Sequence, residues 1–185
     1  MIRRVARIFV IAAGLACILP AAPAAAQASP ETRAFLDCYV DEHPSSAAEA
    51  TFFYKAERYF DLSGRKAFDK GACLTKYGGQ STTSSTLDAL RLRHYTKAAK
   101  CMVASRPEFL RDIDAINANY NRAKINGSDA DSFLPRGFRF LARQCGVLYE
   151  HPSFRNVPPN ALERLGRSID HDILGRISVM RQNPS

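Results

Sequence analysis

Apolar residues recur along most of this chain at helical spacing, and few stretches alternate as a strand would. Ser29-Pro30-Glu31 has the form of an N-cap with Pro at the first helical position, and Phe35, Cys38 and Tyr39 follow as an apolar stripe that Pro44 breaks. Ser46-Ala47-Ala48-Glu49 reads as a capping box ahead of Phe52, Phe53, Ala56, Tyr59 and Phe60. After a break at Ser63-Gly64, Ala67, Phe68, Ala72 and Cys73 line a short helix that stops at Gly78-Gly79. A polar linker from Gln80 to Ser85 leads into Ser85-Thr86-Leu87-Asp88, an acidic capping box, and the stripe Leu87, Leu90, Ala98, Cys101 and Met102. Pro107 starts a helix carrying Phe109, Leu110, Ile113, Ile116 and Tyr120, and Asn126-Gly127-Ser128-Asp129 is a turn. Phe138, Leu141, Cys145 and Leu148 form the next stripe. A proline-rich loop from His151 to Pro159 then precedes a last helix, opened by Asn160-Ala161-Leu162-Glu163, with Leu162, Leu165, Ile169, Ile173 and Ile177 on its apolar face. The pattern predicts a single all-α domain of six to eight short helices. With no tryptophan, phenylalanine and tyrosine must supply the bulk of its core.

The first 28 residues do not belong to that pattern. Arg3, Arg4 and Arg7 form a positive region, Ile8 to Ile18 is an apolar run, and small residues lead to Ala26-Gln27-Ala28, an A-x-A cleavage site with Ala24-Ala25-Ala26 as a second choice. The strongly apolar part is about half the ~20 residues of a membrane span, and Pro20 and Pro23 interrupt it. Cys17 follows Leu15-Ala16 as in a lipobox, but Gly14 stands where a large aliphatic residue is usual. The reading is a signal peptide over 1–28, a helical domain over 29–178 and a tail over 179–185. The mature chain would be periplasmic or secreted, with no transmembrane segment left after cleavage.

Export changes the meaning of the cysteines. Cys38, Cys73, Cys101 and Cys145 remain, an even number, and no C-x-x-C is present. Two disulfides are therefore expected rather than a zinc ribbon, a thioredoxin-like pair or haem attachment, and neither a metal nor a cofactor is expected. An internal similarity selects one of the three pairings. Cys38-Tyr39-Val40-x-x-His43-Pro44 matches Cys101-Met102-Val103-x-x-Arg106-Pro107, and each copy is followed by an aromatic-bearing helix and a second cysteine. Halves of about 30–95 and 96–178 follow, with Cys38 bridged to Cys73 and Cys101 to Cys145. Each bridge closes a loop of about 35 to 45 residues and contributes roughly 4 kcal/mol in the chain-entropy description. Signal peptide, Cys-x-Val-x-x-[His/Arg]-Pro motif and helical duplication together resemble a group of exported alphaproteobacterial helical proteins with duplicated units of this kind. That resemblance implies export and an α-helical duplication, and it carries no activity and no functional residue.

Charge is uneven. The whole chain is at +8, and removing 1–28 takes three arginines and no acid, leaving +5. Residues 29–88 hold 7 basic and 9 acidic groups, whereas residues 89–185 hold 16 and 9. A basic second half favours an anionic partner. Arg93, Lys97 and Lys100 share one helix face by spacing, as do Arg136, Arg139 and Arg143, and these six are the candidate anion-binding residues. Lipid headgroup phosphate, a polyanionic glycan or an acidic protein surface would suit such ridges. Nucleic acid is not expected, because no dense basic run or interleaved aromatic platform accompanies them.

Catalytic signatures are missing. There is no G-x-S-x-G, glycine-rich phosphate loop or H-E-x-x-H, and Asp129-x-Asp131 fails as a calcium loop because Leu134 occupies the glycine place. His43 and His151 precede prolines at expected helix ends, where a histidine cation would cap the negative end of the dipole. His94, among Arg91, Arg93 and Lys97, suits an anion-contacting face. His171, between Asp170 and Asp172, reads as part of a solvent-facing polar cluster. No catalytic residue is assigned. The function these observations favour is a non-enzymatic, exported binding or envelope-associated protein whose basic half contacts an anionic envelope component or an acidic protein. The alternatives are an inhibitor or immunity-type periplasmic protein, and a secreted hydrolase centred on His43 or His151.

Overall fold

The computed structural model describes residues 29–60, 73, 84–126 and 130–183, and every regular element among them is helical. The stretches expected to break at Ser63-Gly64, to form a helix before Cys73 and to link through Gln80 lie outside the described residues, apart from Cys73 itself. Helix α1 (Pro30–Asp37) begins as its sequence predicts, with the Ser29 hydroxyl accepting from the Thr32 amide at 3.2 Å and Pro30 in the first turn. It runs into a π-helical turn, Cys38–Glu42, closed by the His43 amide donating to the Cys38 and Tyr39 carbonyls, each at 3.2 Å. Helix α2 (Pro44–Ala56) starts at Pro44, two residues ahead of the Ser46 capping box. The proline ring presets φ for a first helical position and lacks only an amide proton that would be unpaired there, so it outcompetes the downstream cap.

Helix α3 (Ser84–Ser105) and helix α6 (Pro159–Gln182) span 22 and 24 residues, longer than the short helices expected. Between them lie α4 (Glu108–Ile125) and α5 (Phe138–Gln144), with 3-10 turns at Ala130–Phe133 and Pro152–Phe154. Helix α3 packs on α2 and on α6, and α6 also packs on α4. The larger core gathers Tyr95, Met102, Phe109, Ile113, Tyr120, Phe138 and the α6 stripe Leu165, Ile169, Ile173 and Ile177. A smaller one joins Phe35, Tyr39, Val40, Ala47 and Leu90 around Cys38 and Cys73.

The bridges are Cys38–Cys73 and Cys101–Cys145, the pairing chosen from the internal similarity. Cys38 and Cys73 are buried inside the smaller core, whereas Cys101–Cys145 clips the outer face of α3 to the end of α5. That end is a Schellman turn: the Val147 amide donates to the Ala142 carbonyl and the Gly146 amide to the Arg143 carbonyl, both at 3.0 Å. Gly146 makes the turn possible with φ at +88°, a value a side chain would oppose.

Replacing Cys101 and Cys145 together by serine lowers unfolding stability by about 4 kcal/mol on loop entropy alone. Urea denaturation checks this. Loss of less than about 1 kcal/mol would show that the bridge constrains nothing the helices do not already hold.

Candidate functional site

Helix α6 carries two aspartates, and they point in different directions. A separation of two residues is about 200° around a helix, so Asp170 and Asp172 leave opposite flanks. Asp170 is fully buried. Its Oδ2 accepts from Arg139 Nε at 2.8 Å and Nη2 at 2.6 Å, and its Oδ1 accepts from the Tyr149 hydroxyl at 2.7 Å. Burial, the Asp170 charge and the hydrogen bond to it push the Tyr149 hydroxyl well above its ordinary pKa, so it stays a donor. Asp172 Oδ2 accepts from Lys55 Nζ at 2.9 Å and Arg91 Nη1 at 2.5 Å, and Arg91 bonds Asp88 Oδ1 through Nε at 3.1 Å and Nη2 at 2.6 Å. Desolvation pulls on Arg91, but its bonds to Asp88 and Asp172 outweigh that and raise its pKa. Tyr95, buried near both aspartates, is pushed up by desolvation first and by the Asp172 charge second. The groups named in each network balance in charge, and each network ties α6 to other elements. Asp170 reaches α5 and the segment after it, while Asp172 reaches α2 and α3.

Sequence reasoning placed these aspartates at the surface with His171, and only His171 is exposed. A usable signal is present nonetheless. Asp170 stands in a row with Gly166 and Leu174 at four-residue spacing, beside the Ile169 and Ile173 row, so an aspartate interrupts an apolar face.

His94 corrects another expectation. Its ring is buried rather than turned to an anion, and Nε2 finds no hydrogen-bond partner among the described residues. Burial lowers its pKa to about 4, with the Lys97 charge a smaller contribution, against a bond that the ring donates to the Gly146 backbone, which raises it. His151 is not a helix C-cap. Its Nδ1 accepts from the Ser153 amide at 3.2 Å, which requires a lone pair there, and its ring packs 4.9 Å from that of Phe53. The groove beside it holds Glu150, Pro152, Phe154, Arg155 and Leu162 and offers no serine, threonine or cysteine. A cleft of about 730 Å³ beyond α2 holds Ser45, Glu49 and Glu150 but no histidine.

The basic candidates fall into two groups. Arg136, Arg139 and Arg143 do not form one ridge. Arg136 precedes the left-handed Gly137 and lies outside α5, Arg139 turns inward to Asp170, and Arg143 pairs with Glu150 at 3.0 Å while covering the Tyr149 ring. Arg93, Lys97 and Lys100 do share a face. They line a groove of about 580 Å³ between α1 and α3, floored by Leu36, Val40, Ala89 and Leu92. Arg93 pairs with Asp37, and Lys97 bonds Asp41 at 2.7 Å and the Val40 carbonyl at 2.8 Å. Arg33, from α1, completes the rim and was missed, because its partners come from a helix 60 residues later. Neither Arg33 nor Lys100 forms an ion pair among the described residues, so the rim carries surplus positive charge.

One set of metal-capable donors occurs among the described residues: Cys38, His43 and Cys73 lie together, the two cysteines joined as a disulfide. No described helix is long and apolar enough to cross a membrane. No protein-family model, curated protein or solved structure matches this chain.

Two outcomes follow from these networks. Asp170→Asn removes the buried charge that Arg139 and Tyr149 bond and costs about 3 kcal/mol in urea denaturation. For His94, the unfolded chain takes up a proton as pH falls through the ordinary value of 6.5, while the folded chain resists until about 4. Stability is therefore full above 6.5 and declines by about 3 kcal/mol down to 4. His94→Phe should flatten that part of the curve, and an unchanged slope would assign the loss to other groups.

Proposed function

We propose that this is an exported, non-enzymatic protein that binds an anionic envelope component along the groove between α1 and α3. The observation carrying this reading is the rim itself. Arg33, Arg93, Lys97 and Lys100 converge on an apolar floor, and among the described residues the two acids beside them leave Arg33 and Lys100 uncompensated. Cations held in place by neighbouring carboxylates are already oriented, and the two free ones supply the net attraction. A group with phosphate or carboxylate oxygens and an apolar portion suits both features. The contact surface is thus built from both halves of the chain rather than from the basic second half alone. The two disulfides and the leader sequence of 1–28 support action outside the cytoplasm.

Against a hydrolase centred on His151 stands the use already made of its ring, and His94 offers no substitute. His94 is sealed in the core, and His151 spends Nδ1 on the Ser153 amide. Nothing specific favours an inhibitor over a simpler binder.

The charge reversals Arg33→Glu and Lys100→Glu, combined, strand no ion-pair partner among the described residues and should leave the fold intact. We expect the doubly substituted chain to lose about tenfold in affinity for phosphatidylglycerol vesicles at low salt, about 1.4 kcal/mol. Arg136→Glu, outside the groove, should change affinity less than twofold. Equal binding by wild type and the double variant would remove the groove as the contact.

A further inference from the structure

The two bridges differ in what stands beside them. A ring nitrogen of His43 and the sulfurs of Cys38 and Cys73 all lie within 4.8 Å of one another. The π turn creates this proximity. Its wider spiral places residue 43 over residue 38, as the bond from the His43 amide to the Cys38 carbonyl shows. Glu42 is still close, with Oε2 4.0 Å from Cys38 Sγ. The His43 side chain makes no capping bond at the start of α2. In the second unit the equivalent position is Arg106, whose guanidinium has no lone pair to offer and is engaged by Glu108 at 2.7 Å and the Arg136 carbonyl at 2.9 Å. The chain thus carries one cysteine pair with a ligand beside it and one without.

We propose that the dithiol form of the chain, which exists before the bridges are made, binds one divalent cation of the Zn²⁺ class through Cys38, Cys73 and His43, with Glu42 as an oxygen ligand. Two thiolates, an imidazole and a carboxylate form a four-donor set of the kind tetrahedral zinc takes. Donors around such an ion stand about 3 to 4 Å apart. The two sulfurs, about 2 Å apart while bonded, therefore separate on reduction as the His43 nitrogen closes by about 1 Å, and Glu42, which lies outside that set, turns in from beside Cys38. Binding releases two thiol protons, one from each cysteine, as the two metal–sulfur bonds form. Subsequent oxidation by a disulfide of another protein forms the Cys38–Cys73 bond and breaks the oxidant's sulfur–sulfur bond. Two protons from solvent convert the oxidant to its dithiol, and the cation leaves unchanged. Metal and bridge are mutually exclusive occupants of one place, and the cation holds the pair against premature oxidation.

The test uses the full mature chain, fully reduced under argon and titrated with Zn²⁺. Bound zinc is counted, and cysteine protection from alkylation is mapped by mass spectrometry. One equivalent should bind, with alkylation of Cys38 and Cys73 slowed relative to the same reduced chain without zinc and that of Cys101 and Cys145 unchanged. His43→Arg, which copies the second unit, should lose at least tenfold in affinity by chelator competition. His43→Ala should lose as much without adding a cation. Protection of both pairs alike, as an unfolded chain would give, overturns the proposal. So does failure to bind zinc, or affinity unchanged in both His43 variants.

Discussion

The buried carboxylate of Asp170 is the most exacting contact in the molecule. An ionised aspartate in a protein interior is tolerable only when its charge is balanced and its oxygens are bonded, and here Arg139 and Tyr149 do both. Apolar packing along α6 is permissive by comparison, since leucine and isoleucine surfaces accept small rotations and slips. A bidentate guanidinium with a phenol on the other oxygen does not. Asp172 applies the same constraint on the opposite flank through Lys55 and Arg91. One helix is thereby held in register against α2 and α3 on one side and against α5 on the other. Such networks add little net stability over well-packed apolar residues, so their contribution here lies in specifying a single arrangement of long helices.

The disulfides act on a different part of the problem. Cys38–Cys73 is enclosed by the smaller core, away from the α6 networks, and Cys101–Cys145 runs along the outside of α3. Cross-links of this length reduce the freedom of the unfolded chain, whereas the aspartate networks discriminate among folded arrangements. The Schellman turn after α5 connects the two effects. It fixes the backbone next to Cys145, sends the chain back toward Tyr149, and places the Gly146 backbone against His94.

Legibility followed the range of the interaction. The helical class, the Ser29 cap, the last apolar stripe and the cysteine pairing were readable, because each depends on spacing along the chain. The start of α2 was misplaced by two residues because two local signals competed, and the proline prevailed over the capping box. The larger errors involve charge. Asp170 and Lys55 are buried and Asp172, Arg91 and Arg139 half-buried, and the contacts that tie α6 to other elements join residues 21 to 117 positions apart, which spacing on one helix cannot report. The same limit split the six basic candidates. Arg93, Lys97 and Lys100 occupy one helix, so their common face could be read, whereas Arg136 lies outside the short helix that holds Arg139 and Arg143.

Net charge is therefore a poor guide to the charge a partner would meet. Lys55, Arg91 and Arg139 count toward a basic protein, yet each is paired with a buried or half-buried carboxylate that offsets its charge. Pairing also removes Arg143 and Arg106 from the available set. What remains near the α1–α3 groove is small in number but concentrated, with Arg33 and Lys100 at its rim beside two cations fixed by Asp37 and Asp41. Attraction of an anion depends on such local surplus over a low-dielectric floor more than on the total. The interior networks and the groove draw on one supply of basic side chains, and the buried aspartates of α6 determine which are left for the surface.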